Sequence, residues 1–243
     1  MNQANLVAEL APTGVLRAAI NLGNFLLVTD TAANGDPVGV SPDMAAEVAR
    51  RLGVPVQYVP MATPGEIADT AGKNIWDIGN IGAEPKRAET IDFSAAYAEI
   101  QSTYMVRGDS PIQQIADVDK PGIRIAVSAR SAYDLWLDRN IKQAELFRAE
   151  GIEASFALFE DQKLDVLAGL RPRLTDDVQR IPGARILDGQ FSAVQQAIGT
   201  TKGNSLSAAF LRDFVEETKS SGFVGKLIEK HGVVGRLSVA PPA

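Results

Sequence analysis

The segment W-D-I-G-N-I-G-A-E-P-K-R-A-E-T-I-D-F-S-A-A-Y, residues 76–97, is the part of the chain from which its fold is most readily inferred. The short apolar run at 75–78 predicts a buried strand. That strand is expected to stop at 79–82, where two glycines would let the backbone turn or approach a bound molecule. Pro85 is then placed as the first residue of a helix, a position that proline favours.

Arg87 falls in the first turn of this predicted helix, beside backbone N–H groups without partners inside the helix. A guanidinium next to such amides suits a carboxylate, because both donate hydrogen bonds to an anion. Most arginines are simply solvated at the surface, so residue type alone does not make Arg87 a binding residue. The motifs elsewhere in the chain provide the context.

The segment resembles the signature of the periplasmic solute-binding proteins that serve ABC importers of polar amino acids. In that family a strand ending in small residues leads to a turn with an arginine, and then to a V-D-F-S-x-x-Y segment, which appears here at 91–97. Further pieces that resemble the family follow in the expected order at 14–20, 38–44, 109–112, 127–131 and 221–223. The similarity covers nearly the whole chain and rests on order and spacing rather than on one motif.

The resemblance implies a type II periplasmic-binding fold of class α/β, in which two Rossmann-like lobes are joined by a two-strand hinge and hold a ligand cleft between them. Lobe 1 is predicted to be discontinuous, residues 1–104 plus 199–243, and lobe 2 to span 105–198. The order strand, small-residue loop, helix repeats in both halves, as expected for two related α/β lobes.

Periodicity and end signals give the individual elements. Strands are predicted at 16–21, 54–59, 103–106, 123–127, 145–147, 164–170, 184–187 and 195–200. Helices are predicted after Ser41 as N-cap, after Thr63 in a capping box, at 111–118, after Ser131, around 152–159, after Pro172, at 206–220 and at 223–230.

Composition excludes several function classes. The formal net charge of −6 argues against nucleic acid or an anionic membrane as the main partner. The absence of cysteine rules out disulfides, zinc–thiolate sites and thiol nucleophiles. His231 is the only histidine, so a Ser-His-Asp triad would depend on it, and a helix-ending role is the simpler interpretation. No apolar run approaches the roughly 18–20 residues needed to span a bilayer.

The first ten residues have neither a basic region nor an apolar core, so they are not expected to be a signal peptide. The resemblance implies a periplasmic location. Either a leader was removed from this chain, or Met1 is the native start and the protein is cytoplasmic.

The resemblance also implies a ligand site. Arg87 would pair the ligand α-carboxylate, Ser131 would touch it from a helix N-terminus, and Phe25 or Asn24 would cover the ligand. The full set of expected ligand-binding residues is Asn21, Asn24, Phe25, Asn80, Ile81, Gly82, Arg87, Ser128, Arg130, Ser131, Ala132, Leu170 and Arg171.

Two positions depart from the family pattern. An aspartate that binds the ligand ammonium is replaced by Leu170, which would cost a free amino acid about 1.5–3 kcal/mol. An aspartate that reads cationic side chains appears as Asn21. Since Arg130 and Arg171 would add positive charge, an anionic or neutral ligand without a free ammonium is favoured. Alternatively, both arginines face solvent, and Asn80 is a turn residue.

The resulting prediction is a non-enzymatic, monomeric binding protein that delivers a small carboxylate ligand to an ABC permease, without a cofactor or a metal. Dehydratases acting on prephenate- or arogenate-like substrates have the same fold, and they need a carboxylic general acid, for which Glu84 and Asp165 are the candidates. A cytoplasmic small-molecule sensor is the third alternative.

Overall fold

The computed structural model describes residues 3–243, which form a mixed α/β fold of two compact units, as predicted from the resemblance. Unit 1 contains the chain up to Glu99 together with Gln195–Ala243, and unit 2 contains Ile100–Val194. The helices are α1 (Gln3–Leu10), α2 (Val40–Leu52), α3 (Pro64–Asp69), α4 (Ala132–Asn140), α5 (Ile152–Asp161), α6 (Arg171–Asp177), α7 (Ser205–Ser220) and α8 (Phe223–Lys230).

The strands of the described residues are interspersed with these helices along the chain. They are β1 (Leu16–Asn21), β2 (Asp30–Thr31), β3 (Pro37–Val38), β4 (Val56–Met61), β5 (Ile78–Gly82), β6 (Ile91–Val106), β7 (Arg124–Ser128), β8 (Glu145–Ala149), β9 (Val166–Leu170), β10 (Arg185–Ile186), β11 (Ser192–Thr201) and β12 (Ser238–Val239). Short 3-10 helices lie at Arg87–Glu89, Ile115–Asp117 and Val178–Arg180.

In unit 1 the strand order is β4-β1-β5-β11. Strand β1 is parallel to both β4 and β5, whereas β11 is antiparallel to β5. Leu16, Ala18 and Ile20 of β1 are fully buried, as expected for a central strand covered on both faces. Gly53 ends α2 in the left-handed conformation, with φ 74°, a position that glycine adopts without strain.

In unit 2 the order is β6-β9-β7-β8, with β7 parallel to β8 and β9 and with β6 antiparallel to β9. Phe156 and Phe159 of α5 pack on this sheet in a cluster with Ala126 and Leu167. The period of the apolar residues in α5 is that of a helix with one buried face.

The chain passes from unit 1 to unit 2 within β6, between Glu99 and Ile100, and returns within β11, between Val194 and Gln195. The predicted lobe limits at 104/105 and 198/199 fall in the same two strands.

Several predicted elements were wrong in extent. The helix predicted at 111–118 is only a 3-10 turn at Ile115–Asp117, because the Asp117 carboxylate accepts the N–H groups of Gln113 and Gln114 and closes the turn. Ser41 is not the N-cap of α2; Gly39 is, and Ser41 is buried in the first turn. Helix α1 was missed, although Leu6 and Leu10 have helical spacing and are buried.

Among the helices of residues 3–243, none combines the length and the apolar character that crossing a membrane would require.

Candidate functional site

Strand β5 occupies the segment that was predicted to be a loop. The expected strand at 75–78 and loop at 79–82 were wrong, since β5 runs from Ile78 to Gly82 and every residue in it is buried. A Cβ on Gly79 would lie 3.0 Å from Ile67 Cγ2 and 3.5 Å from the Trp76 ring. Gly79 therefore serves the close packing of side chains against the strand and not a turn.

Asn80 is consequently a strand residue rather than a turn residue. It is paired with Ile20, the penultimate residue of β1, and with Ile198 of β11, so it lies near the carboxyl edge of the parallel strands. Its side chain is 1% exposed, and neither Oδ1 nor Nδ2 finds a hydrogen-bond partner within residues 3–243. Each buried group left unpaired in this way costs about 1–3 kcal/mol.

Three hydroxyl groups of unit 1 share this property within the described residues, those of Ser41, Tyr97 and Ser207. Ser41 Oγ and Tyr97 Oη are buried and make no hydrogen bond of normal geometry in the described part of the chain. Burial raises the pKa of Tyr97 above its ordinary value, and the neighbouring Ser41 hydroxyl offsets part of that rise. Sequence analysis used Ser41 as a helix N-cap and Tyr97 as part of a family motif, and it selected neither for the site.

Arg87 is buried, with 4% of its surface exposed. It begins a 3-10 turn rather than the α-helix that was predicted from Pro85. Its Nη1 donates a hydrogen bond of 2.7 Å to the carbonyl oxygen of Gly82, the last residue of β5. Burying a guanidinium is costly unless acceptors surround it, and the Gly82 carbonyl oxygen is one such acceptor.

The loop after β1 is stabilised by its own side chains. Asn21 Oδ1 accepts the Gly23 N–H at 3.0 Å, and Asn24 Oδ1 accepts the Leu26 N–H at 3.1 Å. The half-buried ring of Phe25 lies 5.5 Å from the guanidinium carbon of Arg236. Both asparagine oxygens are engaged, while the amide nitrogens remain the groups that could donate to an anion.

In unit 2, Ser131 is the N-cap of α4, as predicted. Its Oγ accepts the Asp134 N–H at 3.1 Å, and its hydroxyl also interacts with the buried Tyr133 side chain. Arg130 has a left-handed backbone, φ 58°, and its N–H donates to Asp134 Oδ2 at 2.7 Å. Burial raises the pKa of Asp134, although the Arg130 N–H and Arg148 oppose the rise. Ser128 and Ala132, at either side of this turn, are buried.

Leu170 ends β9 and is buried, and Arg171 begins α6. The Arg171 Nε donates to Gln101 Oε1 at 2.9 Å, and Nη2 donates to the carbonyl oxygens of Leu187 and Gly189. The guanidinium is therefore engaged with neutral oxygens of unit 2.

Of the two carboxylates considered for an enzyme, Asp165 is structural. Its Oδ2 accepts the Arg124 N–H at 2.9 Å and Arg124 Nε at 3.0 Å. Glu84 is half-buried. His231 is the C-cap of α8, as predicted, and its Nε2 lies 2.7 Å from Asp43 Oδ2. Within residues 3–243, no group of acids and histidine is arranged to hold a metal ion.

A depression of about 200 Å³ lies at the opposite end of the unit 1 sheet, where β5 begins and β11 ends. It is lined by Glu9, Pro12, Gly72, Asn74, Trp76, Asp77, Thr201 and Asn204. None of the predicted ligand-binding residues lines it. Gln196, which is 3% exposed and opposes Gly82 in the sheet, is a buried amide at the predicted end that sequence analysis did not select.

The chain matches a known protein family. The sequence profile of the bacterial extracellular solute-binding proteins, family 3, matches residues 27–234. The solute receptor for L-cysteine of Neisseria gonorrhoeae has a similar structure, with a TM-score of 0.78 and 20% identity over 96% of this chain and 99% of the receptor.

Two further structures are similar. The holo form of ArgBP from T. maritima has a TM-score of 0.70 and 23% identity over 91% of this chain and 97% of that protein. An ancestral amino acid-binding protein, described as a precursor of cyclohexadienyl dehydratase, has a TM-score of 0.74 and 21% identity over 92% and 97% of the two chains. At these identities the similarity establishes the fold.

Proposed function

Because the chain belongs to the bacterial extracellular solute-binding proteins of family 3, we propose that it is the solute-binding component of an ABC-type importer. Its solute is a small molecule with a carboxylate, an amino acid or a related organic acid. The two units close over the solute, which is then delivered to a permease. We place this role in the periplasm, where the family typically acts.

The position of Arg87 is the main support for a carboxylate on the solute. Its guanidinium is buried and is anchored on Gly82 at the end of β5, and a guanidinium carries five N–H donors in a planar fork that matches a carboxylate. Arginine binds carboxylates through two parallel charge-assisted bonds, and a water-poor environment strengthens them. A buried cation at the carboxyl end of parallel strands, where open α/β sheets bind their ligands, supports this assignment.

Asn80 and Ser131 complete the proposed polar contacts. The Asn80 amide has a donor and an acceptor without partners in the described residues, so a polar group of the solute would remove its desolvation penalty. Ser131 would donate its hydroxyl proton to the carboxylate from the start of α4.

A solute without a free ammonium group fits the proposed contacts best. Leu170 offers no carboxylate, and Asn21 offers an amide whose oxygen is already bonded to Gly23. An ammonium placed there would lose its water without gaining an anionic partner, which costs several kcal/mol at a buried site.

A thermal-denaturation screen with amino acids and small organic acids tests the proposal, because a solute that binds only the folded state raises Tm. We expect a carboxylate to raise Tm of the wild type. Arg87→Ala should weaken its binding about 30- to 1,000-fold, since roughly 2–4 kcal/mol of charge-assisted hydrogen bonding is lost.

Lys86→Ala is the matched control, because Lys86 is the exposed neighbour of Arg87. Arg87→Lys keeps the charge and should fold even where the alanine variant does not, but it loses the paired geometry and should bind weakly. Undiminished binding by folded Arg87→Ala, or no Tm shift with any acid, would contradict the proposal.

A further inference from the structure

Residues 187–191, here named the return segment, lead the chain into β11 and so toward its crossing back to unit 1. The segment has almost no secondary structure of its own but is bonded along its length to β6. The Leu187 N–H donates to Tyr104 O at 2.9 Å, and the Phe191 N–H donates to Ser102 O at 3.0 Å. The return segment therefore lies against the strand that brings the chain into unit 2.

Arg171 and Thr103 bind the same carbonyl groups of this segment. Arg171 Nη2 donates to Leu187 O and Gly189 O, while its Nε donates to Gln101 Oε1 on β6. The single Thr103 hydroxyl proton is shared between Gly189 O, at 3.0 Å from Oγ1, and Leu187 O, at 3.3 Å. Thr103 is fully buried, so its hydrogen bond to these carbonyl groups is shielded from solvent.

The Phe191 ring adds an apolar contact at the end of the segment. Its centroid lies 4.5 Å from the Tyr104 ring on β6 and 5.2 Å from the Trp136 ring on α4. Aromatic pairs at such distances contribute beyond their buried area. The segment is thus fastened to β6, to α6 through Arg171, and to α4, the helix whose N-cap is Ser131.

We propose that Arg171 is a positioning residue that fastens the return segment to β6, and not a residue that binds the solute. Together with Thr103 it forms what we name the return clamp. The planar guanidinium reaches three neutral oxygens on two chain segments at once, which an ammonium group cannot do with the same geometry. Strands β6 and β11 are the two that join the units. The clamp therefore sets how firmly the chain leading into β11 is held against β6 within unit 2.

Hydrogen exchange of the ligand-free protein tests the clamp independently of any solute, so its result stands whether or not the proposed transport function is correct. We expect the hydrogen-bonded amides of Leu187 and Phe191 to exchange about tenfold faster in Arg171→Gln and in Thr103→Val. Arg171→Lys should behave like Arg171→Gln, because it is the fork and not the charge that acts. Amides of 16–21 in β1 serve as the internal reference for global unfolding.

Arg124→Gln is the matched control, because it removes an arginine of unit 2 that contacts Asp165 and not the return segment. The double variant Arg171→Gln/Thr103→Val should exchange more slowly than the product of the single effects predicts, since both act on the same carbonyls. Wild-type exchange in Arg171→Lys, or in both single variants, would overturn the clamp.

A second measurement separates positioning from plain stabilisation. Because the chain has no cysteine, dyes can be attached at Gln162→Cys in unit 2 and Arg212→Cys in unit 1, both exposed positions. Loosening the clamp should broaden the distribution of dye-to-dye distances, in addition to any lowering of Tm from the lost hydrogen bonds. A lower Tm with an unchanged distribution would reduce Arg171 to a structural residue and refute the proposal.

Discussion

The two units contain the same arginine–aspartate arrangement at the start of their parallel strands. In unit 1, Asp77 Oδ2 accepts the Arg17 N–H at 2.8 Å and Arg17 Nε at 3.1 Å. In unit 2, Asp165 Oδ2 accepts the Arg124 N–H at 2.9 Å and Arg124 Nε at 3.0 Å. Each aspartate directly precedes the strand that pairs with the strand of its arginine. One local solution therefore holds together both central strand pairs.

The similarity extends to the turn before each aspartate. Arg17 Nη1 donates at 2.7 Å to the carbonyl of Asn74, which has φ 57°, and Arg124 Nη2 donates at 2.7 Å to the carbonyl of Lys163, which has φ 51°. The environments differ, however. The side chains of Arg17 and Asp77 are 15% and 5% exposed, whereas those of Arg124 and Asp165 are 40% and 34% exposed. The same contacts should thus contribute unequally to stability.

At the other end of these strands the units diverge. Three residues after its aspartate, β5 has the buried amide of Asn80, where β9 has Ala168. Five residues after it, β5 has Gly82, which anchors Arg87, where β9 has Leu170. A shared scaffold thus carries polar chemistry on the unit 1 strand and an apolar end on the unit 2 strand. This difference is what we expect if unit 1 supplies the main anion contact.

The largest change in the free energy of unfolding should come from replacing the buried aspartate, Asp77. Asp77→Asn should lower the free energy of unfolding by about 2–4 kcal/mol, because Arg17 is left as a partly buried charge without its anion. Asp165→Asn should cost no more than about 1 kcal/mol, since solvent screens the exposed pair. Urea unfolding measures both, with the exposed Asp161→Asn as control. Equal losses at the two sites would mean that burial does not distinguish the units.

Asn80→Leu should change the free energy of unfolding by an intermediate amount, and the change should not be destabilising. Removing an amide without partners should leave the ligand-free protein equally stable or up to about 2 kcal/mol more stable, while solute binding is lost. Thr200→Val is the buried control in the neighbouring strand; it removes the Thr200 bond to Asp77 O at 3.1 Å and should cost about 1 kcal/mol. A destabilised Asn80→Leu protein would show that Asn80 has a partner in the free state.

The smallest effect concerns acid stability, for which each unit has a glutamate between two arginines. Hydrogen bonds from Arg50, then from Arg51, hold the pKa of Glu47 at about 2, below its ordinary 4.5. Arg180 and Arg173 lower the pKa of Glu153 to about 2. Because the folded pKa lies below the unfolded one, this stability is complete above about pH 4.5 and is lost as the pH falls toward 2.

Glu47→Gln should therefore reduce the loss of folding stability on acidification slightly, by less than about 1 kcal/mol. Glu153→Gln should reduce this loss less, because the Glu153 side chain is 63% exposed and that of Glu47 is 13% exposed. Unfolding followed between pH 5 and pH 2.5 measures the slopes. A larger effect at Glu153 would reverse the expected order of the two units.

Elements with strong end signals were predicted well from the sequence. β1 and α8 have the predicted limits, and Thr63 and Ser131 are the N-caps that their spacing indicated. β5 was displaced, because its glycines were interpreted as turn residues although Gly79 makes room for Ile67 and Trp76. That contact joins residues far apart in the chain, so no local pattern reports it.

The candidate site divides in the same way. The order of motifs selected Arg87, and the fold buries it, but the anchoring of Arg171 on Gln101 and the return segment could not be predicted. Which acceptors surround a long cationic side chain depends on segments brought together only by folding.

Taken alone, the amino-acid sequence determined the class of fold, the family, the exclusion of cysteine chemistry and the choice of Arg87 as the arginine proposed to bind an anion, because these follow from composition, periodicity and the order of family motifs. Only the tertiary structure decided which polar groups are buried without partners and which arginines already have theirs. Hydrogen-bond satisfaction is a property of packed neighbours, and most of those neighbours are distant along the chain.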